Sequence, residues 1–312
     1  MARASLAPYR PLPVHRLLER AAARWTDKTA VIDGDRQFTF WELNEYSNSF
    51  AGALVRQGVS KGDVVGILAP NCVEFEIAFF GILKAGATVT TINSGYRDRE
   101  IAHQLHVSGA KILIVHHSLA DVAALAAREA PQRIEMIVIE DREGAPLSLW
   151  ALVGAGFESP PDQPIDPVED LAALPFSSGT TGLQKGVMLT HANLHANVRQ
   201  LSERPNELAA LVHDDIVLVH LPLFHIYGMV VLQLYAISLG ATQVMMGRFD
   251  MDEFLALIAE HVVSAVYTVP PVAIGLIQTP LLDRYDVSSI RFVLCGAAPL
   301  SADLQMRLAD RM

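Results

Sequence analysis

Cysteine is nearly missing from this 312-residue chain: Cys72 and Cys295 are the whole supply. Two thiols without metal-ligand spacing make neither a disulfide framework nor a zinc motif. A reducing cytosol is then the simplest compartment, and both thiols read as small buried apolar residues. Charge is sparse too, at 19% of residues, and its balance is −10. Without an overall positive field, neither nucleic acid nor an anionic membrane surface is the main partner. The longest apolar run, Met229 to Met246, is broken by Gln233, Ser238, Gly240, Thr242 and Gln243, so it falls short of a membrane-spanning helix. Arg3, Arg10, Arg16, Arg20 and Arg24 crowd the N-terminus, but no continuous apolar core accompanies them and no secretion signal is indicated. A Gly-x-Ser-x-Gly elbow is absent, which weakens a hydrolase reading. His191 and His195 stand one helical turn apart without an acidic or cysteine partner; like His116 and His117 they read as surface residues, and no metal site is indicated.

Apolar periodicity, in contrast, is abundant: 51% of residues are apolar, enough for a sizeable core. Val14, Leu17, Leu18, Ala21 and Trp25 follow helical spacing, and Val31-Ile32 with Phe38-Thr39-Phe40 read as a hairpin about Asp33-Gly34-Asp35. Thr39-x-x-Glu42 is a capping-box pattern opening a helix to about Gln57. Strand-like segments at 64–68, 88–92, 111–115 and 134–139 then alternate with helical ones at 72–84, 99–107 and 121–129. Runs such as Ile112-Leu113-Ile114-Val115 are apolar at successive positions, as in a parallel sheet covered on both faces. Pro160, Pro161, Pro164 and Pro167 mark a non-helical connector. Beyond it, strands at 216–221, 242–246, 265–269 and 290–294 alternate with helices near 229–238, 253–261 and 272–278, which predicts a second α/β layer.

Between the layers lies Ser177-Ser178-Gly179-Thr180-Thr181-Gly182-Leu183-Gln184-Lys185-Gly186-Val187. Glycines turn backbone N–H groups toward an anion, hydroxyls add donors and lysine adds charge, a composition suited to phosphate. The alternative is a flexible surface connection, but apolar segments lead in and out, and Thr190 offers an N-cap for a helix from His191. The spacing differs from Gly-x-x-x-x-Gly-Lys-Ser/Thr, which disfavours an ordinary nucleotide-triphosphate hydrolase. His225 follows a strand and Pro222, where ligands collect in open α/β folds, although a core histidine fits the same position. Gly296-Ala297-Ala298-Pro299-Leu300 also follows a strand; its small residues would admit a flat ring, or simply make a strand-to-helix turn.

The 177–186 stretch closely resembles the signature of the adenylate-forming superfamily, and Pro222-Leu223-Phe224-His225-Ile226-Tyr227-Gly228 and Gly296 to Leu300 resemble further family motifs in the expected order. The wording is most similar to 4-coumarate:CoA ligases and their fatty-acyl relatives. The resemblance implies an α/β fold of two stacked, mostly parallel sheets flanked by helices, a truncated large N-terminal domain. Residues 1–55 would join 212–312 in one layer, with 56–211 as the second, carrying the phosphate loop 177–187. It implies an ATP-dependent acid:CoA ligase using ATP, Mg2+ and CoA. Ser177, Ser178, Gly179, Thr180, Thr181, Gly182 and Lys185 would hold the triphosphate, Gly296, Ala297, Ala298 and Pro299 the adenine, and Arg248 the CoA phosphates. His225, Lys185 and Thr181 would act in catalysis, and His225, Tyr227, Val231 and Ala297 would meet the acyl group. Tyr227 and Val231 are taken as one helical turn apart. Aryl-propenoic and medium-to-long fatty acids lead as substrates, in a cytoplasmic enzyme.

The family's later motifs, and the C-terminal lid that carries them, are not among these 312 residues, which stop at Met312 within an apparent helix. The expectation is an incomplete chain, completed by a further segment or partner and forming negligible thioester alone. The alternative is a non-catalytic nucleotide- or acyl-binding fragment.

Overall fold

The computed structural model describes residues 7–139, 147–154, 163–177, 184–203 and 210–312. In chain order the elements are α1 (Arg16–Arg24), β1 (Thr29–Asp33), β2 (Arg36–Thr39), α2 (Phe40–Arg56), β3 (Val64–Leu68), α3 (Val73–Lys84), β4 (Thr88–Ile92), α4 (Asp98–Ser108), β5 (Ile112–Val115), α5 (Ala120–Glu129) and β6 (Glu135–Val138). There follow α6 (Leu149–Gly154), β7 (Leu171–Ala173), β8 (Phe176–Ser177), β9 (Lys185–Gly186), β10 (Leu189–Thr190), α7 (His191–Ser202) and β11 (Ile216–Val219). A π-helix (Gly228–Tyr235) runs into α8 (Ala236–Leu239), and β12 (Thr242–Met245), α9 (Met251–Glu260), β13 (Ala265–Thr268), α10 (Pro270–Gln278), β14 (Phe292–Cys295) and α11 (Ala302–Arg311) complete the order.

Local chemistry accounts for the boundaries. Thr39 and Glu42 form the predicted capping box, and Thr190 caps α7 in a second one with Asn193. Two six-stranded sheets result, the first ordered β10-β7-β4-β3-β5-β6 and the second β14-β13-β11-β12-β1-β2. Pairing is parallel except for β1 with β2 and β7 with β10. Alternate residues on a strand then serve different cores, because side chains point to opposite faces. Val65 and Ile67 of β3 enter the core shared by both sheets, while Leu68 packs under α4 and α5. Likewise Val217 and Val219 face the shared core and Leu218 meets α9 and α10. Helices α2, α3, α8 and the π-helix fill the space between the sheets. All twelve residues of α3 are buried, as a helix enclosed on every side requires. No helix among the described residues is long and apolar enough to cross a membrane.

Burial overturns three expectations. His191 and His195 are core residues, 2% and 5% exposed, not surface ones; His191 Nδ1 accepts the Val14 N–H at 3.0 Å, so the histidine ties the N-terminal segment to α7. His116 and His117 are half-buried, their rings 4.2 Å apart and tilted by 40°. Cys72 is buried as expected, but Cys295 is partly exposed, because β14 is an edge strand.

Candidate functional site

Parallel strands align their C-terminal ends, and the second sheet's ends gather most of the candidate segments. The turn 220–227 follows β11, the bend with Arg248 follows β12, and Gly296 follows β14. Above β4 of the other sheet stand Asn93 and Tyr96. Between these ends opens a cleft of about 590 Å³. Thr91, Asn93, Tyr96 and Gln104 form one wall; Phe176, Ser177 and Gln184 of the hairpin form another. Asn193, Leu194 and Asn197 of α7 line a third, and Phe224, His225, Ile226 and Val230 close it. Amides, hydroxyls, the His225 imidazole and apolar groups make up this lining, which carries no carboxylate, lysine or arginine among the described residues.

The glycine- and hydroxyl-rich stretch leaves and re-enters a two-stranded ladder. Phe176 pairs with Gly186 and Ser177 with Lys185, antiparallel, so Ser177 and Lys185 stand directly opposite, both exposed. The Val187 N–H donates to Pro175 O at 2.9 Å, and His103 Nε2 lies 3.3 Å from Gln184 O. Ser178, Gly179, Thr180, Thr181 and Gly182 lie outside the described residues. Among the described residues no carboxylate forms an ion pair with Lys185 or with Arg248, which is exposed.

The turn carrying His225 is held from both sheets. The His225 N–H donates to Pro222 O at 3.1 Å, and His225 Nδ1 accepts the Tyr227 N–H at 3.4 Å. Thr91 Oγ1 of β4 donates to Phe224 O at 2.8 Å, and Asn71 Oδ1 accepts the Leu223 N–H at 2.9 Å. Gly228 closes the turn so tightly that a Cβ there would stand 2.1 Å from Pro222 O.

Two site expectations change. A π-helix has more residues per turn than an α-helix, so the spacing that paired Tyr227 with Val231 does not hold. Val230, itself buried, lines the cleft, and Val231 does not. The flat ring lying on Gly296 is Tyr227 itself: a Cβ on Gly296 would meet the phenol oxygen at 2.8 Å. The Tyr227 hydroxyl donates to Leu294 O at 3.4 Å. Beside it the Ala298 N–H donates to Gly296 O at 2.8 Å around Ala297, whose φ of 65° places an L-residue in the left-handed region. A turn of this kind stores about 1–3 kcal/mol and persists where the surroundings enforce it, often at ligand sites. Ala298 and Pro299 face a separate groove between β14 and α11. The structure thus joins the hairpin to His225 and joins Tyr227 to Gly296, while Arg248 stands apart from the cleft. Asn71, Thr91, Gln104, Asn193 and Asn197 went unnoticed in the sequence. Only the one-turn spacing of Asn193 and Asn197 gave a local signal.

These features define an α/β protein with two stacked sheets and a ligand-sized cleft at their strand ends. The chain belongs to the family of AMP-binding enzymes, whose family model matches residues 18–312. It is 38% identical over 304 residues to a 4-coumarate--CoA ligase of Pinus taeda, covering 96% of this chain and 56% of that one. With 4-coumarate--CoA ligase 3 of Arabidopsis thaliana it shares 36% over 305 residues, covering 96% and 54%. The structure of a long-chain-fatty-acid-CoA ligase (FadD1) from Archaeoglobus fulgidus superposes with a TM-score of 0.88 at 28% identity, over 99% of this chain and 62% of that one. The anthranilate CoA ligase AuaEII, in complex with anthranoyl-AMP, superposes with a TM-score of 0.89 over 96% and 58%; at 24% identity that likeness speaks for the fold alone. The chain spans about half the length of the curated relatives it matches. The expected two-sheet fold of an adenylate-forming N-terminal domain is borne out.

Proposed function

We propose that this chain is the nucleotide- and acyl-binding part of an AMP-forming acid:CoA ligase. A carboxylate resists thiol attack because it is anionic and has no good leaving group. In the proposed reaction a carboxylate oxygen attacks the α-phosphorus of ATP, the bond to pyrophosphate breaks, and an acyl-adenylate forms. The sulfur of CoA then attacks the acyl carbon, the acyl–oxygen bond breaks, AMP leaves and the thiol proton passes to solvent.

The observation that carries this reading is the hairpin, which sets Ser177 opposite Lys185 at the mouth of a cleft shared with His225. Backbone N–H groups, hydroxyls and one lysine act there by electrostatic positioning, with no protein nucleophile. Mg2+ fits as the triphosphate's own counter-ion, since among the described residues no group of three His, Cys, Asp or Glu converges on a metal position. His225 serves to position the acyl group, Tyr227 and Ala297 to close its far side, Gly296 to Pro299 to border the adenine, and Arg248 to meet the CoA phosphates. The uncharged cleft lining favours aryl or fatty acids over diacids. Assay of thioester formation separates this reading from binding without turnover.

Lys185→Ala should weaken ATP binding by about 1.5–3 kcal/mol, the scale of a charge-assisted hydrogen bond, and leave folding unchanged because the side chain is exposed. Calorimetric titration of both proteins decides this; equal affinities would remove Lys185 from the site. Val230→Phe should weaken long acyl-adenylate analogues by roughly 1–3 kcal/mol relative to short ones. Both changes should also cost roughly 1–3 kcal/mol of stability through over-packing, since both valines are buried, and Val231→Phe should do so without altering the length preference. An unaltered length preference in the Val230 variant would place the acyl chain elsewhere.

A further inference from the structure

We infer that Asn71 is a positioning residue, the clamp by which the first sheet sets the His225 turn against the Arg248 bend. It stands in the link from β3 to α3 and is 6% exposed. Its Nδ2 donates to Val219 O at 2.9 Å, to Leu221 O at 3.1 Å and to Met246 O at 3.1 Å, and its Oδ1 accepts the Leu223 N–H at 2.9 Å. Three carbonyls on one side and one N–H on the other admit a single orientation of the amide, since only nitrogen donates and only oxygen accepts.

The partners give this side chain its meaning. Val219, Leu221 and Leu223 lead from the end of β11 into the turn with His225, and Met246 leads from β12 to Arg248. Gly247 packs over the Asn71 backbone, its Cβ position 3.5 Å from Asn71 O. One amide therefore spans both strand ends and reaches them from the opposite sheet. Thr91 Oγ1 supplies a further side-chain bond from that sheet to the turn, at Phe224 O. Asn71 does not line the cleft, so it acts through His225 and not on a ligand.

This inference rests on the ligase reading for its functional consequence but not for its structural one. The experiment compares the full chain with Asn71→Ala, and with Asn71→Ser as a milder variant should the first fail to fold. In folded Asn71→Ala, the His225 ring resonances should shift and the Leu223 amide should lose protection from hydrogen exchange. In both variants affinity for a non-hydrolysable acyl-adenylate analogue should fall by roughly tenfold or more, the scale of one lost orienting contact, while ATP affinity stays within about twofold. Unmoved His225 resonances with an unchanged analogue affinity overturn the clamp. A parallel loss of both affinities with thermal stability overturns it too, since that is the mark of a merely structural residue. If the parent binds neither ligand, the ligase reading falls, and the His225 resonances with Leu223 exchange still decide for or against Asn71.

Discussion

Gly228→Ala should destabilise this protein by more than about 3 kcal/mol, above the usual 1–3 kcal/mol of over-packing, because the new methyl meets backbone and not a movable side chain. The added carbon would lie 2.1 Å from Pro222 O and 2.7 Å from Pro222 C. Relief requires opening the turn that Asn71 and Thr91 hold closed, or lifting the π-helix out of the shared core, where all eight of its residues are buried. Gly154→Ala is the control: nothing lies within 4 Å of its Cβ position, so that change should be neutral or stabilise by up to about 1 kcal/mol. Denaturant midpoints of the two variants and the parent test this, and a Gly228 variant as stable as the Gly154 one would contradict it.

The second large effect concerns a proton held in the first turn of α3. Glu76 is fully buried, and burial pushes its carboxyl up to about 8 against the opposing hydrogen bond from Gln243 Nε2. Glu76 Oε2 and Gln243 Oε1, both acceptors, have no partner. A proton on Glu76 would let the acid and amide pair reciprocally and satisfy both. Glu74, Arg36 and Asp33 form their own ion pairs at the helix start, and Lys84 lies at its end, bonded to Asn44 and Asn48.

A folded-state value above the unfolded one means that stability is complete below the unfolded carboxyl pKa and is lost as pH rises toward about 8. Buried His15, His191 and His220 act oppositely. Burial lowers them to about 3, about 4 and about 4, so their contribution is present above the unfolded imidazole value and is lost on acidification. Glu76 alone should therefore remove about 2 kcal/mol of stability between pH 6.5 and 8.5, at roughly 1.4 kcal/mol per unit while only the unfolded carboxyl is ionised, a loss masked in the parent by the buried histidines and by buried Lys84, lowered to about 8, which act in the opposite sense. Glu76→Gln keeps the shape, supplies a permanent donor to Gln243 and should gain about 2 kcal/mol on the parent across that pH range. Unfolding curves from pH 5 to 9 read this out; the same pH dependence in variant and parent would contradict it.

Element identity was legible wherever the signal was local. The Thr39–Glu42 box, the Thr190 cap and the apolar runs of β3 and β5 each depend on neighbours within a few residues. What failed was whatever depended on distant partners. His191 and His195 looked solvated because their helix is otherwise polar, yet the N-terminal segment covers them. The 229–238 run was legible as helix but not as π-helix, a form that adds a residue per turn and exchanges Val231 for Val230 at the cleft. The short helix α6 gave no clear period; it is anchored by Trp150, whose Nε1–H donates to Glu74 at 3.0 Å.

By itself, then, the sequence determined the two runs of alternating strands and helices, the hydroxyl- and glycine-rich loop and the family, because periodicity, caps and motifs are carried by adjacent residues. No local pattern joined residues 1–55 to 212–312, which the resemblance alone implied; only the tertiary structure decided that β1 pairs with β12 across some 200 residues of chain, with Val31 against Gln243. It alone decided that Asn71 clamps the His225 turn, that Tyr227 covers Gly296 and that Glu76 lies in a dry interior. Each of those depends on which surfaces two sheets present to one another when they stack, and no local pattern encodes that.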